Sequence, residues 1–234
     1  MVTKVRGKPN TTVNVEVYRP SINDYYTGVC TRAQVTEDTV NWEMKEDNVG
    51  YIEVTSFDGV TGTQFKEAYN DLHDRGMKGL IIDLRSNGGG YVDVCCDMLD
   101  FLLPEGVVTY TVDKYQVKEE YKSDKKAALD VPLILLVNGY SASASEIFCG
   151  AIRDFKAGEL MGTQTFGKGI VQISIPLSDG SAVKVTLAYF YSPSGVCIHK
   201  EGFTPEYIVE YDPEAEEDNQ LQEALKKIKE KMAK

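Results

Sequence analysis

Three serines at alternate positions, Ser141, Ser143 and Ser145, lie in the run Asn138-Gly139-Tyr140-Ser141-Ala142-Ser143-Ala144-Ser145-Glu146. An apolar stretch that reads as a buried strand precedes them and a helix start comes next. The first N–H groups of a helix lack intrahelical partners, and the helix dipole there favours negative charge. A serine so placed can attack a carbonyl carbon while neighbouring N–H groups hold the developing oxyanion. The plainer alternative is a capping box between Ser143 and Glu146. Taken alone, the run favours the cap.

Two further segments invite the same question. Asp83-Leu84-Arg85-Ser86-Asn87-Gly88-Gly89-Gly90-Tyr91 sets three glycines between a strand and a helix. Such a turn brings backbone N–H groups close to a ligand, or merely supplies positive φ. The triplet alone does not decide. Gly162-Thr163-Gln164-Thr165-Phe166-Gly167-Lys168-Gly169 nearly matches the phosphate-binding pattern G-x-x-x-x-G-K-[ST]. Glycine at 169 removes the hydroxyl that would hold magnesium, and Ile170 to Pro176 is β-branched where that pattern needs a helix. The nucleotide reading fails on both counts.

Lys168 then needs another use. A nucleophilic serine requires a base, and the chain has only two histidines. His73 falls on the polar side of its helix, and His199 sits in the turn-rich stretch Pro193 to Gly202. Neither belongs to a recognisable Ser-His-Asp pattern. A lysine can serve if burial lowers its pKa from about 10.4 toward 7–8, roughly 4 kcal/mol of differential solvation. Phe166 and Ile170 flank Lys168 and are the expected source of that burial. Ser123-Asp124-Lys125-Lys126 also satisfies S-x-x-K, but its polar surroundings predict a surface loop or frayed helix.

The positioning elements are legible as periodicities. Thr11 to Tyr18 alternates as a half-buried strand, and Pro20 ends it. With no partner sheet upstream, it reads as the end of a truncated module. Tyr51 to Phe57 predicts a strand, Thr63 to Asp74 a helix stopped by Gly76, and Leu80 to Leu84 a strand covered on both faces. Strand, helix and buried strand form a βαβ unit. The logic repeats with a helix over Tyr91 to Leu103, a strand over Val131 to Val137 and a helix over Ser145 to Phe155. Strand-like alternation runs from Gly162 through Tyr191. Gln220 to Met232 presents Leu221, Ala224, Leu225, Ile228 and Met232 on one helical face. The fold class is α/β.

The 234 residues suit one large domain or a domain plus a fragment. With 25 Lys+Arg against 36 Asp+Glu, the net charge of −11 argues against nucleic acid as a partner. Part of that excess is the run Asp212 to Asp218, which reads as a solvated connector. No apolar run has the length of a membrane span, and the first seven residues lack a signal-peptide core. The five cysteines, at 30, 95, 96, 149 and 197, form no C-x-x-C and read as free, mostly buried thiols.

Taken together, six segments resemble the C-terminal processing peptidases, or tail-specific proteases. They are Gly50-Tyr51-Ile52, Asp83 to Gly90, Ser141 to Ile147, Thr165 to Gly169 with Val171-Gln172, Tyr191 to Gly195, and Gly202-Phe203-Thr204-Pro205-Glu206. Each is weak alone, but their shared order over nearly the whole chain is specific. The resemblance implies a serine endopeptidase with Ser143 as nucleophile, Lys168 as general base and Gln172 completing the site. The N–H groups of Gly89 and Ala144 would form the oxyanion hole. It further implies a crotonase-like core over 49–212, a remnant of a PDZ domain at 1–20, a connecting segment at 21–48, and an acidic connector with a C-terminal helix at 213–234. Substrates would be proteins with unstructured C-termini, met outside the cytoplasm, with no metal, nucleotide or organic cofactor. Oligomeric state is left open.

The chain departs from the family pattern at Gly88, often proline, at Tyr140, usually small, and at Glu206, usually aspartate. Two rival readings keep the fold but not the reaction. One is a non-catalytic protein binding apolar ligands or peptides. The other is an acyl-CoA enzyme, which would leave Lys168 unexplained.

Overall fold

The computed structural model describes residues 2–34, 37–124 and 126–233. The chain divides into two compact units, residues 1–37 and 38–234.

The first unit holds a short helix, α1 (Val2–Val5), and an antiparallel hairpin of β1 (Thr12–Arg19) and β2 (Asp24–Thr31). Pro20, which cannot donate to a ladder, turns the chain through one 3₁₀ turn between them. The hairpin keeps unbroken register from Thr12 opposite Thr31 to Arg19 opposite Asp24. The Arg32 guanidinium ties it together, donating to Val5 O, Thr12 O and Thr11 Oγ1. The partner of β1 is therefore β2, downstream in the chain. The expected connector over 21–48 is corrected accordingly: β2 belongs to this hairpin, and a further strand within 21–48 belongs to the second unit.

In the second unit the elements run β3 (Val40–Lys45), β4 (Val49–Val54), α2 (Thr61–Asp74), β5 (Gly79–Asp83), α3 (Val92–Leu102), β6 (Gly106–Asp113) and β7 (Lys118–Ser123). Then come β8 (Leu133–Val137), α4 (Ala144–Asp154), β9 (Glu159–Gly162), β10 (Ile170–Pro176), β11 (Ala182–Tyr191), β12 (Tyr207–Ile208) and α5 (Asn219–Met232). Six strands form one sheet in the order β12-β9-β8-β5-β4-β3, parallel except for edge strand β3.

Side chains alternate across this sheet, and both faces are covered. Leu80, Ile82, Leu133, Leu135 and Val137 pack with α2, α3 and α4 through Phe65, Leu72, Met98, Leu99, Ile147 and Phe148. Ile81, Ile134 and Leu136 face the other way, onto Ala224 and Ile228 of α5. That double burial is why β5 and β8 read as continuous apolar runs.

A second sheet, antiparallel, has the order β10-β11-β6-β7. Sequence periodicity did not separate out β6 and β7. Ser123, expected in a loop or frayed helix, instead ends β7, buried, with its hydroxyl donating to Pro104 O. Lys125 of that motif lies outside the described residues. The solvated connector holds for exposed residues 213–217, but Asp218 caps α5, accepting from Leu221 N at 3.1 Å.

Candidate active site

Adjacent parallel strands β5 and β8 end side by side, Asp83 opposite Leu136. The glycine turn and the serine loop leave from these carboxyl ends, the usual location of sites on α/β sheets. Buried Asn87 stitches the two loops. Its amide donates to Val54 O at 2.8 Å and its Oδ1 accepts the Gly89 N–H at 2.9 Å. Its carbonyl accepts from Ala142 N at 3.0 Å and from the Ser145 hydroxyl at 2.8 Å.

Gly89 has to be glycine. It sits at φ +103°, and an added Cβ would lie 2.7 Å from Ser143 Cβ and 3.0 Å from Ala144 N. The turn thus lies directly against the serine loop.

The three serines divide their labour. Ser141 is buried, and its hydroxyl donates to Leu84 O at 2.7 Å. Ser145 is buried on Asn87 O. Ser143 alone is half-exposed, at φ 59° and ψ −116°, a conformation costly for a residue with a side chain. It occupies the N-cap of α4 in the capping box expected with Glu146. Ala144 comes next as the first helical residue, its N–H having no intrahelical partner.

Glu146 does more than cap. Fully buried, its Oε1 accepts from the Thr165 hydroxyl at 2.7 Å and Gly167 N at 2.6 Å. Its Oε2 accepts from Ser143 N at 3.0 Å and from Lys168 N at 2.7 Å. One carboxylate oxygen therefore holds the backbones of both Ser143 and Lys168. Their nitrogens lie no farther apart than the sum of those two distances. A second tie joins the loops, Phe166 N donating to Ser141 O at 3.0 Å. Gly167, at φ +86°, and Gly169 let this segment pass under residues 198–201, whose backbone an added Cβ would strike.

One expectation needs correction here. Lys168 is not buried: it is exposed, Phe166 beside it is 62% exposed, and Ile170 is only half-buried. The Lys168 and Phe166 side chains turn outward, while the Thr165 side chain and the backbone at Gly167 and Lys168 pack against Glu146. Gln172 bonds within its own strand pair. Its amide donates to Thr186 Oγ1 at 3.2 Å across the strand pair, beside a register shift at Val171/Gln172. The Gly89 N–H, expected in the oxyanion hole, is occupied by Asn87 Oδ1. Tyr140 stands exposed on the serine loop.

A charged cluster below the glycine turn carried no signal in the sequence. Arg85 donates to Asp83 at 2.6 Å and to Asp218 at 2.7 Å, and also reaches Gln220 at 3.0 Å. Burial disfavours the guanidinium charge, but the two carboxylates outweigh it and raise the Arg85 pKa. Burial likewise opposes ionisation of Asp218, yet its bonds from Arg85 hold it below the usual carboxylate range. The Tyr51 hydroxyl donates to Asp83 at 2.8 Å, and burial with that carboxylate pushes its pKa up. The cluster clamps the end of β5 to the start of α5.

All five cysteines are free thiols, and Cys95, Cys96 and Cys149 are buried. Cys95 donates to Ala144 O at 3.2 Å, and burial pushes its thiol well up, leaving it an inert packing group behind the serine loop. Glu206 ties β9 by accepting from Leu160 N at 2.7 Å. A serine at a strained helix start, a glycine turn against it and a lysine loop bonded to the same carboxylate form an arrangement that can support acyl transfer.

Comparison with known proteins identifies the family. Residues 48–209 match peptidase family S41, and the chain belongs to that family. It is 35% identical over 211 residues to the carboxyl-terminal-processing protease of Synechocystis sp. (strain ATCC 27184 / PCC 6803 / Kazusa), covering 88% of this chain and 49% of that protein. To the carboxy-terminal processing protease CtpA of Bacillus subtilis (strain 168) it is 35% identical over 206 residues, covering 88% and 44%. The solved structure of a photosystem II D1 C-terminal processing protease superposes with a TM-score of 0.69 at 31% identity, covering 87% of this chain and 57% of that one. The chain thus spans about half the length of the curated relatives it matches.

Proposed function

We propose that this chain is the catalytic part of a serine endopeptidase that cuts near flexible C-terminal tails of proteins. The carrying observation is the Glu146 oxygen shared by the Ser143 and Lys168 backbones. In this reading Ser143 Oγ attacks the scissile carbonyl as neutral Lys168 takes its proton. The Ala144 N–H receives the oxyanion, with the Gly89 N–H joining once it exchanges Asn87 Oδ1 for the substrate oxygen. Lys168 returns the proton to the leaving amine, and water clears the acyl-enzyme.

A lysine works as a base where its charged form is disfavoured by dry surroundings. With Lys168 exposed, this reading needs the site to be enclosed by the molecule that binds over it. Gln172 would steer the lysine amine after the strand turns at the neighbouring irregularity. The core would be crotonase-like, the hairpin unit of residues 1–37 a PDZ remnant, and the working compartment outside the cytoplasm. These assignments rest on family resemblance.

The same exposure favours a second reading, a non-catalytic binding protein on this fold. A fluorophosphonate probe separates the two. The peptidase reading expects covalent label on the peptide carrying Ser143 and none in Ser143→Ala. Absent label on a chain that retains a bound apolar ligand supports the binding protein instead.

A further inference from the structure

The two edges of the antiparallel sheet are treated differently by the sequence. Edge strand β7 reads Lys118-Glu119-Glu120-Tyr121-Lys122-Ser123, and Glu120 pairs with Lys118 at 2.7 Å and Lys122 at 3.0 Å. Charged side chains of this kind guard an edge against pairing with another chain. The opposite edge strand, β10, reads Ile170-Val171-Gln172-Ile173-Ser174-Ile175-Pro176 and carries no charge. No other strand among the described residues pairs with its outer edge.

Its faces are also unequal. Ile173 pairs with Val185 and Ile175 with Val183, so these four share one face. Ile173, Ile175 and Val183 are 42%, 43% and 46% exposed. Gln172, Ser174, Lys184 and Thr186 make the other face polar. An uncharged edge beside an exposed apolar face is a template for a further strand.

Position selects the occupant. The strand begins two residues after Lys168, whose N–H is fixed to the carboxylate that fixes Ser143 N. A chain paired along β10 therefore has one end near the serine loop. We propose that the outer edge of β10 holds the substrate polypeptide as an added strand, and that the Ile173–Val183 face selects uncharged segments with apolar residues at alternate positions. Main-chain bonds supply the affinity, and the alternation sets the register. This rests on reading Ser143 and Lys168 as the cleavage site. It also assigns the missing enclosure of Lys168 to the bound substrate.

The test uses the full chain carrying Ser143→Ala and a fluorescent peptide alternating valine and glutamine, with lysines at its ends. Two further peptides carry backbone N-methyl groups on the valines or on the glutamines, which removes opposite sets of N–H donors. Only one set faces the protein in a strand pair, so one methylated peptide should bind about tenfold or more weaker and the other nearly as the parent. Amide exchange of residues 170–176 should slow when the parent peptide binds. Equal binding of all three peptides, or no slowing over 170–176, overturns the proposal. So does slowing without peptide in a chain that sediments as a dimer, which would make a second copy the occupant. If the peptide binds as proposed but the Ser143 chain does not cut it, the cleavage reading fails and the edge site stands.

Discussion

The serine loop and the lysine loop meet at one carboxylate, yet they are built on different terms. On the serine side Ser141, Ser145, Asn87 and Gly89 are locked by short buried bonds into the ends of β5 and β8. The strained backbone of Ser143 persists because its neighbours over-determine it. On the lysine side the backbone and the buried Thr165 hydroxyl are fixed. Lys168, Phe166 and Gln172 turn outward, and β10 beyond them leaves one edge open. A nucleophile and its oxyanion donors gain from rigidity before substrate arrives. A base that needs a dry setting can receive it with the substrate. Under the proposed roles, the nucleophile loop is fixed before substrate arrives, whereas the dry setting of the lysine and the release of the Gly89 N–H from Asn87 Oδ1 come with it.

Glu146 joins the halves, so its loss should have the largest effect. Glu146→Ala strands four donors, two of them in buried bonds, and should cost at least about 3 kcal/mol of stability along with all cleavage. Glu146→Gln keeps the volume but turns an amide nitrogen toward donors, and should fall between it and the parent. Urea midpoints with parallel digestion assays check both. A stable, active Glu146→Ala chain would dissolve the comparison.

Asn87→Ala strikes the rigid half alone. Losing its buried bonds to Val54 O and Gly89 N should cost about 2 kcal/mol and lower turnover more than substrate affinity. Steady-state kinetics read that split. A change in KM alone would move Asn87 out of the oxyanion support.

The Arg85–Asp218 clamp should matter least. Asp218 is held below its ordinary range in the folded chain, so its contribution is present above that range and lost as pH falls through the folded value. Because Asp218 is about one-third exposed, Asp218→Asn should cost under about 1 kcal/mol at pH 7. That gap should close in urea unfolding as the pH falls below the ordinary carboxylate range. A gap that widens in acid would reverse the sign of the clamp.

How much the sequence disclosed depends on how local each signal is. β5, β8 and α2 to α5 are runs of one period, and they lie within two residues of where the periodicity sets them. Ser143 and Glu146 are three residues apart, so the capping box was readable. That Glu146 also reaches Lys168 depends on two loops converging in space, which no spacing encodes. Arg85 and Asp218 are still more distant. The burial expected for Lys168 came from its neighbours' apolarity, whereas Phe166 points outward. β6 and β7 were missed because the half-buried alternation in one and the charges in the other resemble ordinary loop or helix composition.

The central claim is that Ser143 and Lys168 work as one unit. The most direct measurement is digestion of an unfolded protein between pH 7 and 9 by the parent chain, Lys168→Ala and Lys168→Arg. Cleavage by the parent alone is predicted, because arginine keeps the charge but cannot accept the serine proton. Equal cleavage by either variant would contradict the account and leave Lys168 an exposed lysine on the edge of the site.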